Sequence, residues 1–313
     1  MRSRRYPVFI LLISMVAGYA GELFSPLPQT PPYHSGKAAL GMRLFFDPTL
    51  SRDNTVSCSS CHDLNQGGDD GLPVSVGIEG KQGTFNAPTV LNSRYNFVQF
   101  WDGRAPTLQE QAKSPLTNPV EMDATEASVV KAVKSNPDYV KAFTTLYPEG
   151  ITFDTIVDAI ARFEEALVTP DSRFDRYLRG DDKALTPQEL TGLELFQSKG
   201  CVACHHGVNL GGNLYQKLGI IVPVAESQRW DGRFAITGKE EDRYVMKVPS
   251  LRNVTETAPY LHDGSLETLD KVVRLMAEHQ LGRSLSEREI QSLVAFLHTL
   301  KGETPPILQI GTP

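Results

Sequence analysis

Cys58-Ser59-Ser60-Cys61-His62 and Cys201-Val202-Ala203-Cys204-His205 repeat one pattern, Cys-x-x-Cys-His, and together use all four cysteines of the chain. This is the attachment pattern of a c-type haem: the two thiols add to the porphyrin vinyl groups, and the adjacent imidazole becomes an axial iron ligand. Two dithiol redox motifs would not need a histidine in fifth place twice, and the ligands of a zinc site sit closer in sequence. Two covalent haems make a redox protein, and the open question is which reaction it performs.

The answer turns on the sixth position of each iron. A haem that only passes electrons is usually held by two protein ligands, whereas one that reacts with a small molecule needs an exchangeable position. Between His62 and His205 there is no histidine, and Met122 is the only methionine. The first site therefore has no obvious sixth ligand from its own half. His34, Lys81, Tyr95 and Met122 are candidates, each of a type more often found in packing or at the surface. The second half is better supplied, with His206, Met246, His262, Met276, His279 and His298.

The elements that must position these groups read as helices. Thr186-Pro187-Gln188-Glu189 combines an N-cap, proline at the first helical position and a capping-box glutamate. Leu190, Leu193 and Phe196 then carry an apolar face towards Cys201. Ser286 and Glu289 open another helix, with Ile290, Leu293, Val294 and Leu297 on one side and Gly302 as its stop. Ile156, Ile160, Phe163 and Leu167 recur at helical spacing as core, and Asp123 and Glu126 read as caps. Strand signals are few.

Three matches in the same order point to an internal duplication. Gly41-Met42-Arg43-Leu44-Phe45 parallels Gly192-Leu193-Glu194-Leu195-Phe196, and Asn86-Ala87-Pro88 with Asn92 parallels Lys247-Val248-Pro249 with Asn253. Trp101-Asp102-Gly103 parallels His262-Asp263-Gly264. The resulting division is residues 1–20 as a secretory signal, 21–35 as a proline-rich leader, 36–175 and 176–305 as two haem domains, and 306–313 as a tail. The connection falls at 170–182. The signal rests on Arg2, Arg4 and Arg5, an apolar run over 7–16 and small residues up to Ala20, too short for a comfortable membrane span. Covalent haem attachment in bacteria is completed outside the cytoplasmic membrane, so the expected address is the periplasm. Loss of that segment would take the formal charge from −6 to −9, which disfavours nucleic acid as a partner and suits a small carrier with a positive face.

The ordered motifs, adding Gln99-Phe100-Trp101-Asp102-Gly103-Arg104, Pro119-Val120-Glu121-Met122, Leu167-Val168-Thr169-Pro170 and Ala258-Pro259-Tyr260-x-His262, resemble the bacterial dihaem cytochrome c peroxidases over residues 36–302. The resemblance implies a mainly α fold of two cytochrome c-like haem domains packed across an interface that also holds calcium. It implies reduction of hydrogen peroxide with electrons from a small c-type cytochrome or cupredoxin, and a homodimer remains open. Residue by residue, His62 becomes the proximal ligand of the peroxide-reacting haem. His205 and Met276 become the ligands of the electron-accepting haem, with Cys58, Cys61, Cys201 and Cys204 as attachment points. Trp101 matches the tryptophan between the haems, Gln111 and Glu121 the polar residues over the peroxide site, and Asn86, Thr257 and Pro259 the calcium ligands, the last two through backbone carbonyls.

One position departs from the family. Its usual first haem carries a displaceable histidine in the loop that here reads Ser75-Val76-Gly77-Ile78-Glu79-Gly80, and Ile78 stands in the histidine's place. Isoleucine cannot bind iron, so the first haem is expected to be open without reductive activation, with Glu79 as a rival to Glu121 for the proton relay. Methylamine-utilisation dihaem oxidases, which modify a protein substrate, also lack that histidine but have tyrosine where Met276 stands. They are the first alternative, and a simple dihaem electron-transfer cytochrome is the second.

Overall fold

The computed structural model describes residues 23–225 and 230–310. The expected signal segment, the start of the leader and the last residues of the tail lie outside that range. Ten helices carry the described chain: α1 (Ser35–Phe45), α2 (Leu108–Thr117), α3 (Glu126–Ser135), α4 (Pro137–Leu146), α5 (Phe153–Ala166), α6 (Arg173–Leu178), α7 (Pro187–Lys199), α8 (Phe234–Thr237), α9 (Leu269–Leu281) and α10 (Glu287–His298). The described strands are β1 (Tyr215–Lys217) and β2 (Val245–Lys247), an antiparallel pair with Tyr215 opposite Lys247.

The helix starts follow local chemistry. Thr186 caps α7 and Ser286 caps α10, each with the glutamate three residues on closing a capping box. Two expectations shift. Thr125, with Ser128, caps α3, so Glu126 sits in its first turn and Asp123 outside it. α10 ends at the C-cap Thr299, not at Gly302. Gly302 is glycine for another reason: a Cβ there would lie 2.2 Å from the Thr169 carbonyl oxygen.

Each half is built on one helix crossing. The helix that leads into the Cys-x-x-Cys-His run, α1 or α7, packs against the last helix of its half, α5 or α10. At the crossing points stand Gly41 and Gly192, where a Cβ would lie 1.8 Å from the Ala159 carbonyl oxygen and 2.0 Å from that of Ser292. The backbones touch because no side chain separates them. Beside each crossing an aromatic pair repeats, Phe45 on Phe163 and Phe196 on Phe296, both with centroids 5.2 Å apart.

The two cores do not follow the expected boundaries closely. Phe174 and Tyr177, within the connection, form a six-residue helix packed into the second core, and Phe24 from the leader joins them. Ile307, from the tail, packs into the first core. The leader is fastened by a fully buried ion pair, Arg252 to Asp175 at 2.8 Å. Leu27 N–H donates to Asp175 at 3.0 Å, and Arg252 donates to the Ser25 carbonyl at 3.2 Å.

Gly192→Ala should destabilise the protein by about 1–3 kcal/mol, the range for forcing extra volume into a packed contact. Helix propensity alone would give the opposite sign, a gain of up to about 1 kcal/mol. Urea unfolding of Gly192→Ala and Gly41→Ala decides between them. Gly36→Ala is the control, because a Cβ there meets side-chain atoms alone, the tip of Leu146 at 3.0 Å and the His34 ring at 3.7 Å.

Candidate functional site

The two Cys-x-x-Cys-His runs adopt the same turn. Cys58–Ser60 and Cys201–Ala203 are 3-10 helices, with His62 N–H and His205 N–H both donating to the first cysteine's carbonyl at 3.0 Å. One turn therefore presents residues i, i+3 and i+4 on a common face. Each imidazole engages a backbone carbonyl through Nδ1, His62 to Gly68 and His205 to Leu210, both at 3.1 Å. Nδ1 is thus the protonated nitrogen and Nε2 the free lone pair. Burial lowers the pKa of both rings, His205 to about 4, so each is neutral and competent to bind iron.

The cysteines are unpaired. Burial pushes the Cys58 thiol far up and those of Cys61 and Cys201 up to about 11. Such thiols hold little thiolate near neutrality, which argues against a dithiol exchange site. Among the described residues no three His, Cys, Asp or Glu side chains converge to hold a metal ion. The donor set instead suits covalent haem: two thiols and one neutral imidazole on one turn, twice.

Above the second turn lies a cavity of about 250 Å3 whose wall includes Cys201, Cys204, His205 and Met276. Helix α9 carries Met276 to it, together with Val272, Val273 and Ala277. Met246 reaches the same cavity from β2. Residues of the first half close the wall, including Asn86 and Trp101, and so do Thr257, Pro259 and His262. The three residues matched to calcium thus share one cavity. Asn86 Nδ2 donates to the Leu72 carbonyl at 2.8 Å.

Trp101 sits where the halves meet. Its indole N–H donates to the Asn86 carbonyl at 3.0 Å, and its ring stands 6.4 Å from that of His262, its counterpart in the repeat. The duplicated segments exchange backbone bonds there: Asn86 N–H donates to the His262 carbonyl at 2.9 Å, and Lys247 N–H to that of Trp101 at 2.8 Å.

At the first site Glu121 lies near the thiols and adds to the upward push on Cys58 and Cys61. Burial raises its own pKa, against a 2.6 Å hydrogen bond from Asn118 Nδ2 and the nearby Arg104 guanidinium. Gln111 is half-buried on α2, one and a half turns before the helix ends at Thr117. The loop with the unusual isoleucine packs on this segment: Ile78 is fully buried, and its N–H donates to the Glu121 carbonyl at 2.8 Å. Glu79 turns away, half-exposed and paired with Arg52 and Lys81.

Of the four other candidates for the first iron, His34 is the N-cap of α1 and Lys81 is engaged at the surface by Glu79 and the Pro119 carbonyl. Tyr95 lies within range of the Arg252–Asp175 pair, and Met122 is part of the first core.

Two residues here have no functional role legible in the sequence. Glu164 on α5 is buried, its Oε2 has no hydrogen-bond partner among the described residues, and it lies close enough to Cys58 to act on its thiol. Burial lifts its pKa to about 8. Lys247 is buried on the cavity wall. A charged residue inside a strand or helix gives no periodicity signal that separates it from a surface one.

The comparisons agree with this geometry. The family model described as di-haem cytochrome c peroxidase matches residues 35–183. The chain is 45% identical to cytochrome c551 peroxidase of Nitrosomonas europaea, over 97% of this chain and 94% of that protein. It is 36% identical to the methylamine utilization protein MauG of Methylorubrum extorquens, over 90% and 83% respectively. The crystal structure of a MauG-like protein associated with microbial copper homeostasis superposes with a TM-score of 0.79 at 30% identity, covering 90% of this chain and 95% of that one. The chain belongs to the di-haem cytochrome c peroxidase family, oxidoreductases that act on peroxide.

Glu164 carries a pH signature. Its folded pKa lies above the ordinary carboxyl value, so the protonated form favours the fold. Its contribution is complete below about pH 4 and lost as pH rises towards 8, with a slope of at most about 1.4 kcal/mol per pH unit. Urea unfolding of the haem-loaded protein between pH 5 and 8 should therefore be less pH-dependent in Glu164→Gln than in the wild type. Equal slopes would place the charge of Glu164 in contact with solvent.

Proposed function

We propose that this protein is a periplasmic dihaem peroxidase that reduces hydrogen peroxide to two waters, taking two electrons from a small c-type cytochrome or cupredoxin and two protons from solvent. His62, Cys58 and Cys61 hold the haem that meets peroxide. His205, Met276, Cys201 and Cys204 hold the haem that accepts electrons. When bound, the two haems supply an exchangeable iron position for the O–O bond and a store for one electron. The single observation that carries this reading is an asymmetry. Met276 shares a cavity wall with His205, whereas the loop at the first site offers a buried Ile78 and packs it beside Glu121.

The side chains take definite parts. Glu121 removes the proton from the inner oxygen of peroxide and returns it to the outer one, which leaves as water. Its raised pKa brings it nearer the working pH, where a group can serve as base and then acid. Asn118 fixes the carboxylate, and Gln111 orients peroxide by hydrogen bonding. Trp101, held by Asn86 at the junction of the halves, stands on the route between the two sites. Asn86, Thr257 and Pro259 hold calcium at that junction, through one side chain and two carbonyls.

The protein-modifying oxidase reading has Ile78 in its favour and Met276 against it, since a thioether favours the reduced haem and suits electron entry. Steady peroxide turnover with a reduced cytochrome separates the two.

The resting, fully oxidised protein should react with peroxide directly and show one high-spin and one low-spin haem. Two low-spin haems, with reactivity appearing only after partial reduction, would contradict an open first site. Glu121→Gln should keep both haems attached and slow the peroxide step by about 10²–10⁴-fold, the usual worth of a general acid–base group. Donor oxidation, followed separately by stopped flow, should hardly change. Glu79→Gln should react at close to the wild-type rate. The reverse ranking would move the proton relay into the loop.

A further inference from the structure

The duplicated halves place different side chains at one matched position. Asn86 opens the Asn-Ala-Pro segment of the first half, and Lys247 opens Lys-Val-Pro in the second. The match is structural as well: each donates its N–H across the junction, Asn86 to His262 and Lys247 to Trp101, and those acceptors are themselves a matched pair. A neutral amide in one half has become an amine in the other.

The surroundings of that amine are unusual. Lys247 is only 6% exposed and lines the cavity that contains His205 and Met276. Among the described residues its ammonium has no hydrogen-bond or ion-pair partner. Burial alone accounts for its depressed pKa, about 8, with no acidic neighbour to offset it. Desolvation disfavours a lone ammonium in such a place, and an anion entering the cavity would offset that. The other two cations on the wall are differently placed. Lys199 is engaged by Glu289 at 2.6 Å, and Arg283 is on the exposed rim.

We propose that Lys247 is the charge partner of a carboxylate on the group bound in the second cavity, a haem propionate, and that it raises the reduction potential of the second haem. This rests on the reading of the second site as a haem site. The sign follows from charge. Iron gains a positive charge on oxidation, so a buried cation nearby disfavours the oxidised form, and a cation that neutralises a propionate removes an anion that would favour it. Both effects raise the potential. The matched Asn86 brings no such charge to the junction. The thioether of Met276 and the ammonium of Lys247, both on the wall of that cavity, would then push the same haem in one direction.

The test is a spectroscopic redox titration of the full-length, haem-loaded protein at pH 7, with bound haem counted first by pyridine haemochrome absorbance and intact mass. Lys247→Gln should lower the midpoint of the second haem, recognised by its methionine–iron absorption band. At a fixed ambient potential its oxidised-to-reduced ratio should rise by about tenfold, the scale of one charge-assisted hydrogen bond. The first haem should shift much less, Lys247→Arg should restore most of the potential, and Arg283→Gln should leave it near the wild-type value. Lys247→Met keeps the stem without the charge and should give the same shift if the glutamine variant does not accumulate. An unshifted second haem overturns the proposal, as does an equal shift of both haems. Loss of the low-spin methionine spectrum overturns it too, since the lysine would then act through ligation or folding. Fewer than two haems in the wild type would defeat the reading of the sites and the lysine's role together, whereas two haems with an unmoved potential defeat only the latter.

Discussion

Thr169 holds the two halves in register. Its hydroxyl oxygen accepts from Asn92 Nδ2 at 2.8 Å and from Asn253 Nδ2 at 3.0 Å, and all three residues are buried. The asparagines are the matched ends of the duplicated segments, and both adopt left-handed backbone, with φ of 61° and 58°. Each also reaches the chain just beyond its own last helix: Asn92 to Leu167 and Thr169, Asn253 to Leu300 and Gly302. Removing one partner from so compact a network strands the others in low dielectric, where an unmet polar group costs about 1–3 kcal/mol. The absence of a Cβ at Gly302 is what lets these two ends of chain lie against each other.

From that node the duplicated segments run outward and meet again at Trp101 and His262, where they exchange backbone hydrogen bonds. The meeting point is therefore fixed at both ends. A group seated on His205 and one seated on His62 are held at a set separation by the backbone, with Trp101 between segments whose positions neither half can alter alone. The helix crossings at Gly41 and Gly192 do the same for each turn of cysteines and histidine.

On a repeated frame, function comes from where the repeat is broken. Trp101 faces His262, Asn86 corresponds to Lys247, and Glu164 on α5 takes the place that Leu297 has on α10, where it lines the second cavity. The first site has buried or half-buried acids, Glu121 and Glu164, and the second a buried amine and a methionine. Acidic groups suit a site that handles protons, and a cation with a thioether suits one that should hold an electron. The same backbone thus surrounds its two Cys-x-x-Cys-His turns with side chains of different charge.

Much of this was written in the sequence. The Cys-x-x-Cys-His runs, the caps at Thr186 and Ser286 and the three duplicated segments are local patterns, and local patterns are set by residue type and spacing. The helix carrying Met276 was legible for the same reason, since one amphipathic helix has only one face to turn inward. The termini were not: the leader joins the second core and the tail the first, contacts no nearby residue encodes. Nor were the pairing of Glu79 at the surface, the packing of Ile78 on Glu121, or the isolation of Glu164 and Lys247. A glutamate or lysine in sequence is a solvated charge until the fold removes its water. Which of them lose it depends on partners far along the chain, so the sequence determined where the two Cys-x-x-Cys-His turns lie, and only the tertiary structure decided which buried charges stand beside each.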